Sequence, residues 1–202
     1  MNLLEAALRR IVGDLDALGM RWAIVGGLAV SARAEPRTTR DVDVAVAVTG
    51  DEEAEAMVHA LRGRGYVVRA VVEHETKKCL ATARLVSATP PEVLIDLLFA
   101  SSGIEEEVVS GAERLEILPG FVASVATVGH LLALKVLARD DRVRPQDLDD
   151  IRALLREATA IDLETAREAL RLIASRGFER DRALVDQLEA IVADPSNRGG
   201  SS

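Results

Sequence analysis

Aromatic residues are scarce in this 202-residue chain: they make up 2% of it, with one Trp, one Tyr and three Phe. A single-strand nucleic-acid binder that stacks bases on aromatic platforms is therefore excluded. Cysteine is nearly absent. The lone Cys79 allows no disulfide within the chain, and with three scattered histidines, His59, His74 and His130, no zinc-type spacing exists. Cys79 reads as an inert strand or core residue. No run approaches the ~20 apolar residues that a membrane span needs. The opening Met1-Asn2-Leu3-Leu4-Glu5 lacks the pattern of a signal peptide, so a cytoplasmic protein with no membrane partner is expected. Excess positive charge is missing too: the formal net charge is −8. That excludes a general DNA coat protein, whose affinity comes from Lys and Arg. What is present is ordinary, 49% hydrophobic and 29% charged, enough for a real core of Leu, Val, Ile and Ala.

Periodicity organises the chain. Leu3, Leu4, Ala7, Leu8, Ile11, Val12, Leu15 and Leu18 recur at helical spacing, with Gly19 as a stop. A short strand over Trp22 to Val25 breaks at Gly26-Gly27, and a helix follows over Leu28 to Ala34. Asp41 to Val48 alternates strictly, as a strand does. A helix over Asp51 to Arg62 and strands over Tyr66–Val72, Lys78–Val86 and Val93–Phe99 follow, with Pro90-Pro91 as a turn. A loop with three glutamates leads to a strand-like stretch at Leu115 to Leu118. After Pro119-Gly120 the pattern turns helical, over Thr127–Ala138, Gln146–Glu157, Asp162–Ser175 and Glu179–Ala193. The expected organisation is a mixed α/β core over 1–119, a helical C-terminal region over 120–194 and a disordered tail over 195–202.

The informative stretch is Ile24-Val25-Gly26-Gly27-Leu28-Ala29, followed by Arg37-Thr38-Thr39-Arg40-Asp41-Val42-Asp43. Glycines let a ligand approach the backbone, and the helix start beyond them offers N–H groups and positive potential to a phosphate. A tight strand-to-helix turn is the plainer reading of the pair alone. Asp41 and Asp43, two apart on a strand, point to one face. Carboxylates that close disfavour each other's ionised form, and a divalent cation such as Mg²⁺ or Mn²⁺ relieves this. Asp96, inside the apolar run Val93 to Phe99, needs a cation, a hydrogen-bond network or a polar cleft. If its strand neighbours that of Asp43, three carboxylates converge, a set suited to metal-assisted displacement at phosphorus. A simple pairing of Asp96 with an arginine is the alternative.

These residues resemble the polymerase-β-type nucleotidyltransferase superfamily. The detailed pattern, Val25 to Val30 and then Arg37, Thr39, Asp41 and Asp43, is similar to the AbiE-type toxin nucleotidyltransferases of type IV toxin–antitoxin systems. Ile95-Asp96-Leu97-Leu98 matches the family's third-carboxylate strand, Leu131 to Lys135 its lysine helix, and Arg142 to Ile151 the segment beyond. Gln146 stands where the family often has lysine. The resemblance implies a mixed-sheet nucleotidyltransferase core, a divalent metal held by Asp41, Asp43 and Asp96, and a nucleoside triphosphate substrate. It implies transfer of the nucleoside monophosphate with release of pyrophosphate. The acceptor is then a tRNA 3′ end, with a cognate antitoxin as partner, or alternatively a partner protein or an aminoglycoside-like small molecule. A degenerate, non-catalytic nucleotide binder is the remaining alternative. Catalytic candidates are Asp41, Asp43, Asp96 and Lys135. Gly26, Gly27, Arg37, Thr39 and Lys135 are the nucleotide-binding candidates. Lys135 also reads as a snorkelling helix residue, or as a clamp on triphosphate charge. Asp147 and Arg144 are supporting candidates. Arg33, Arg37 and Arg40 bracket the carboxylates, while Arg139, Arg142 and Arg144 make a second basic cluster; Lys77-Lys78 is a further basic pair, and His74 reads as a surface histidine.

Overall fold

The computed structural model describes residues 3–74, 76–87, 92–140, 146–194 and Asn197. Helix α1 (Leu3–Ala17) buries Leu8, Ile11, Val12 and Leu15, the apolar stripe expected of an amphipathic helix on a sheet. It ends in a Schellman turn. Gly19 stands at φ +68, and the N–H groups of Gly19 and Met20 donate to Asp16 and Leu15 at 3.0 Å each. Strand β1 (Arg21–Val25) is buried from its second residue onward, and helix α2 (Gly26–Arg33) starts without a connecting loop. Next come β2 (Val42–Ala47), α3 (Asp51–Gly63), β3 (Tyr66–Glu73), β4 (Leu80–Ser87), β5 (Leu94–Leu98) and α4 (Glu105–Ser110). The chain continues through β6 (Glu113–Leu118), β7 (Phe121–Val125), α5 (Val128–Ala138), α6 (Gln146–Glu157), α7 (Ala160–Ser175) and α8 (Leu184–Ala193).

The strands form one mixed sheet in the order β3-β4-β5-β2-β1-β7-β6. The β2/β5 and β1/β7 pairs are parallel and the others antiparallel. Strands β1, β2 and β5 lie in the middle and supply much of the core, including Ile24, Val44, Val46, Ile95 and Leu97. Helix α5 is apolar nearly all round, burying Val128, Leu131, Leu132, Ala133, Val136 and Leu137. Gly129 lets it lie against α7, because a Cβ there would sit 2.6 Å from the Asp162 carbonyl oxygen and 2.7 Å from Thr165 Cβ. A capping box of Thr159 and Asp162 starts α7. No helix among the described residues is long and apolar enough to cross a membrane.

Three elements differ from the sequence reading. Strand β7 falls where only helix was expected beyond Pro119-Gly120. That pair is the turn of the β6/β7 hairpin, and β7 joins the sheet beside β1 through Ile24 and Val125. Its five residues alternate, with Ala123 and Val125 buried and Val122 exposed, but they run into the apolar α5 and are hidden by it. Helix α4 was read as loop; its three glutamates occupy the first turn, where acidic side chains suit the helix dipole. Helix α8 begins at Leu184 rather than Glu179, because Arg180 and Asp181 adopt φ 56 and 57, outside helical space. The Pro90-Pro91 turn and all of the 195–202 tail except Asn197 lie outside the described residues.

Strand β7 has a positional consequence. It runs parallel to β1 and hands the chain to α5 beside the end of β1. The Arg33 guanidinium fastens this junction by donating to the carbonyls of Val125 and Ala126, at 3.0 Å each. The lysine of α5 is thereby carried back towards the start of α2.

Candidate active site

The two glycines at the β1–α2 junction are sterically required, each for a different neighbour. Val25 pairs with Asp43 across β1/β2, so Gly26 meets the Asp43 side chain. A Cβ on Gly26 would lie 1.9 Å from Asp43 Oδ2, and the residue stands at φ +61. A Cβ on Gly27 would lie 2.6 Å from an Arg37 Nη and 2.8 Å from Thr39 Oγ1. The Gly27 N–H donates to the Asp43 carboxylate, so the helix start already faces negative charge.

The carboxylates converge through strand register. Parallel pairing of β2 with β5 sets Asp43 directly opposite Asp96. Asp41 lies just ahead of β2, and its charge also acts on Asp43. The Asp43 carboxyl is pushed up from 3.8 to about 6, first by burial and then by the negative charges of Asp96 and Asp41. Lys135 and the Gly27 N–H pull it back in part. Asp96 is 9% exposed and does not face this charge alone. Arg84, its cross-strand neighbour on β4, donates from Nε to Oδ1 at 2.8 Å and from Nη2 to Oδ2 at 2.7 Å. The arginine pairing that the sequence offered as the alternative for Asp96 is present, and of the three carboxylates the register sets two, Asp43 and Asp96, directly opposite each other. Arg84 was not singled out there; alternation in β4 was its only signal.

A second polar network joins the sheet to the helices. Asp150, 2% exposed at its side chain, accepts from Arg37 Nη2 at 2.9 Å and lies 2.7 Å from Arg37 Nε and 2.7 Å from Lys135 Nζ. Lys135 also donates to Asp147 Oδ1 at 2.8 Å. The other Asp147 oxygen is buried and has no hydrogen-bond partner, which leaves an unfilled acceptor at the site. Two cations and two carboxylates thus neutralise each other in a half-dry setting, where breaking one pair is costly. Asp147 and Asp150 are three apart on α6 and so share a helix face, a spacing that the sequence showed for both although only Asp147 was singled out.

Asp43, Asp96, Arg84, Lys135, Asp147 and Gly26 line one cleft of about 990 Å³, together with apolar Leu131 and Leu134 of α5. Ser101 and Ser102 close one edge, held by Glu105, whose Oε1 accepts from both backbone N–H groups and both hydroxyls at 2.8–2.9 Å. Arg139, Arg180, Arg182 and Gln187 contribute from the helical side. Arg37 and Thr39 lie behind Gly27 rather than on the cleft wall, and Arg33 serves the β7 junction instead of the carboxylates. Lys77 and His74 pack on Phe178, the lysine 5.6 Å from the ring centre and the histidine ring 4.6 Å away edge-on. Arg142 and Arg144 lie outside the described residues.

Among the described residues no three His, Cys, Asp or Glu side chains stand ready to hold a metal ion. A nucleotide-borne Mg²⁺ needs less, one or two carboxylates with phosphate and water oxygens completing its shell. Asp41 and Asp43 fit that requirement: the Asp43 carboxyl is raised by burial and then by the charges of Asp96 and Asp41, and a bound cation would offset both.

Residues 7–199 match the family model described as nucleotidyl transferase AbiEii toxin, type IV TA system. The chain belongs to the AbiEii family. It is accordingly a nucleotidyltransferase. No curated protein sequence matches this AbiEii chain. Solved structures do. An antigenic nucleotidyltransferase-like protein from Paracoccidioides brasiliensis is 17% identical at a TM-score of 0.56, covering 93% of this chain and 92% of its own. The lincosamide antibiotic adenylyltransferase LnuA, solved with lincomycin bound, is 12% identical at a TM-score of 0.50, covering 78% and 100%. At these identities the likeness establishes the AbiEii chain's fold as that of nucleotidyltransferases.

Proposed function

We propose that this AbiEii chain moves a nucleoside monophosphate from a nucleoside triphosphate to RNA, at the 3′ end of a tRNA, with Mg²⁺ or Mn²⁺ taking part. The observation that carries the reading is Asp43. It sits against a glycine with no room for a side chain, directly opposite Asp96, with its carboxyl raised to about 6 first by burial and then by the negative charges of Asp96 and Asp41. Such a carboxylate is poised to gain a cation.

In this reading Asp41 and Asp43 hold the metal, which supplies charge neutralisation on the triphosphate. The start of α2 at Gly26-Gly27 seats phosphate oxygens. Arg37 and Lys135, set in place by Asp150, add positive charge behind them. Asp96, held by Arg84, accepts the proton of the acceptor hydroxyl. The hydroxyl oxygen bonds to the α-phosphorus, the bond from that phosphorus to the bridging oxygen breaks, and pyrophosphate leaves with the electron pair. Arg84, Arg139, Arg180 and Arg182 at the cleft support a polyanionic acceptor on a chain whose net charge is −8. The family's toxin–antitoxin description supports a cognate antitoxin as partner.

Incubation with Mg²⁺, total tRNA and each α-labelled nucleoside triphosphate tests this, with Asp43→Asn as control. Label in tRNA with the wild type alone is expected. Label on protein or on a small molecule, with none in RNA, contradicts the acceptor; no metal-dependent transfer at all contradicts the mechanism.

A further inference from the structure

The chain between α7 and α8 contributes to the cleft, and beyond the positive charge of Arg180 and Arg182 it has no part in the phosphate chemistry above. Arg180 and Asp181, both in left-handed conformation, stop the helical pattern short of Leu184. Two such residues in succession are unfavourable without glycine and persist only when their surroundings hold them. Arg182 does the holding. Its guanidinium donates to the carbonyls of Leu137 at 2.8 Å and Val136 at 2.9 Å, in the last turn of α5, and to Oε1 of Gln187 at 2.5 Å.

An arginine only donates hydrogen bonds. The Gln187 carboxamide is therefore oriented, with its oxygen on Arg182 and its NH₂ group turned away. The Gln187 side chain makes no other hydrogen bond among the described residues, and it lines the same cleft as Asp43, Asp96 and Lys135. Its two N–H donors remain available on a half-buried side chain, in a cleft that Leu131 and Leu134 also line.

We infer that Gln187 reads the base of the incoming nucleotide by donating to an exocyclic carbonyl, with Arg182 fixing its orientation. This rests on the cleft being the nucleotide site. Guanine, cytosine and uracil each carry such a carbonyl. Adenine carries none: its acceptors are ring nitrogens, and N1 and N7 lie beside the exocyclic amine, whose donors then face those of Gln187. A free glutamine would flip to suit either, but a flip here would set its NH₂ against the Arg182 guanidinium. Uracil, with a carbonyl on each side of N3, is favoured most and adenine least. One hydrogen bond made or refused in a cleft is worth about tenfold in affinity.

Calorimetric titration of the full chain with the Mg²⁺ complexes of UTP, ATP and inorganic tripolyphosphate tests the inference. The wild type is expected to bind UTP about tenfold more tightly than ATP. Gln187→Glu keeps a partner for Arg182, so the turn survives, but replaces the donors with an acceptor; the UTP preference is expected to vanish or reverse. Gln187→Leu removes the donors, and is expected to lose the preference while binding tripolyphosphate as the wild type does. Equal binding of UTP and ATP by the wild type, or a preference that survives Gln187→Glu, overturns the inference; tripolyphosphate binding abolished by Asp43→Asn then leaves the nucleotide site standing. Binding of none of the three ligands overturns the nucleotide site and this inference together.

Discussion

Arg37 and Asp150, far apart in sequence, form an ion pair with Nε and Oδ1 2.7 Å apart, and Asp150 holds Lys135 Nζ at the same distance. This one carboxylate ties the segment behind Gly27 to the lysine of α5. Replacing it strands two cations in a half-dry site. Asp150→Asn is expected to cost about 3 kcal/mol of stability, read from urea unfolding, and to weaken nucleotide binding well beyond what Asp149→Asn does on the exposed side of α6. Equal effects of the two variants on nucleotide affinity contradict the coupling.

Gly26→Ala combines two penalties. The backbone stands at φ +61, and the new Cβ would sit 1.9 Å from Asp43 Oδ2. The conformational part alone costs about 1–2 kcal/mol, and displacement of Asp43 is expected to lower kcat/KM by about 100-fold or more. Gly13→Ala is the control, since a Cβ there meets nothing within 4 Å and sits in α1. A Gly26→Ala enzyme with full turnover contradicts the close approach assigned to Asp43.

Acid and alkali act on Asp43 in a defined direction. Its carboxyl is raised from 3.8 to about 6, so between those values the folded chain binds more protons than the unfolded chain, and stability from this group falls as pH rises through the window. Above it the full penalty remains. In chelator, Asp43→Asn is therefore expected to be more stable than the wild type at pH 7, by up to about 3 kcal/mol, and to lose that advantage as pH falls towards 4. Unfolding curves across that range check it; an advantage independent of pH contradicts the origin given to the shift.

Arg84 shields Asp43 from Asp96 by a two-point pairing. Arg84→Met leaves Asp96 uncompensated opposite Asp43, so the Asp43 titration, and the acidic limb of the pH–rate profile with it, is expected to move upward. Arg84→Lys restores one of the two contacts and is expected to fall between. A limb unmoved in both variants contradicts the pairing's electrostatic role.

Much of the site was legible because strand geometry is periodic. Asp41 and Asp43 had to share a face, and the glycine break fell where a strand ended. Register was not legible: nothing in one sequence says that β5 lies beside β2, so the opposition of Asp43 and Asp96 waited for the sheet order. Partners fixed by tertiary packing were missed for the same reason, Arg84 on a neighbouring strand and Asp150 against Arg37. Strand β7 was lost because its short alternation merges into the apolar α5. The late start of α8 was hidden because left-handed backbone at Arg180 and Asp181 has no glycine to announce it. Those two misses meet at the cleft, where β7 delivers α5 and the Arg180 turn presents Gln187.

The most direct measurement is calorimetry of nucleoside triphosphate binding to the wild type and to the Asp41→Asn/Asp43→Asn double variant, each with Mg²⁺ and with chelator. Binding by the wild type that requires Mg²⁺, and its loss in a double variant that melts at or above the wild-type temperature in chelator, is the predicted result. Mg²⁺-dependent binding of equal strength in the double variant would contradict the assignment of these two carboxylates.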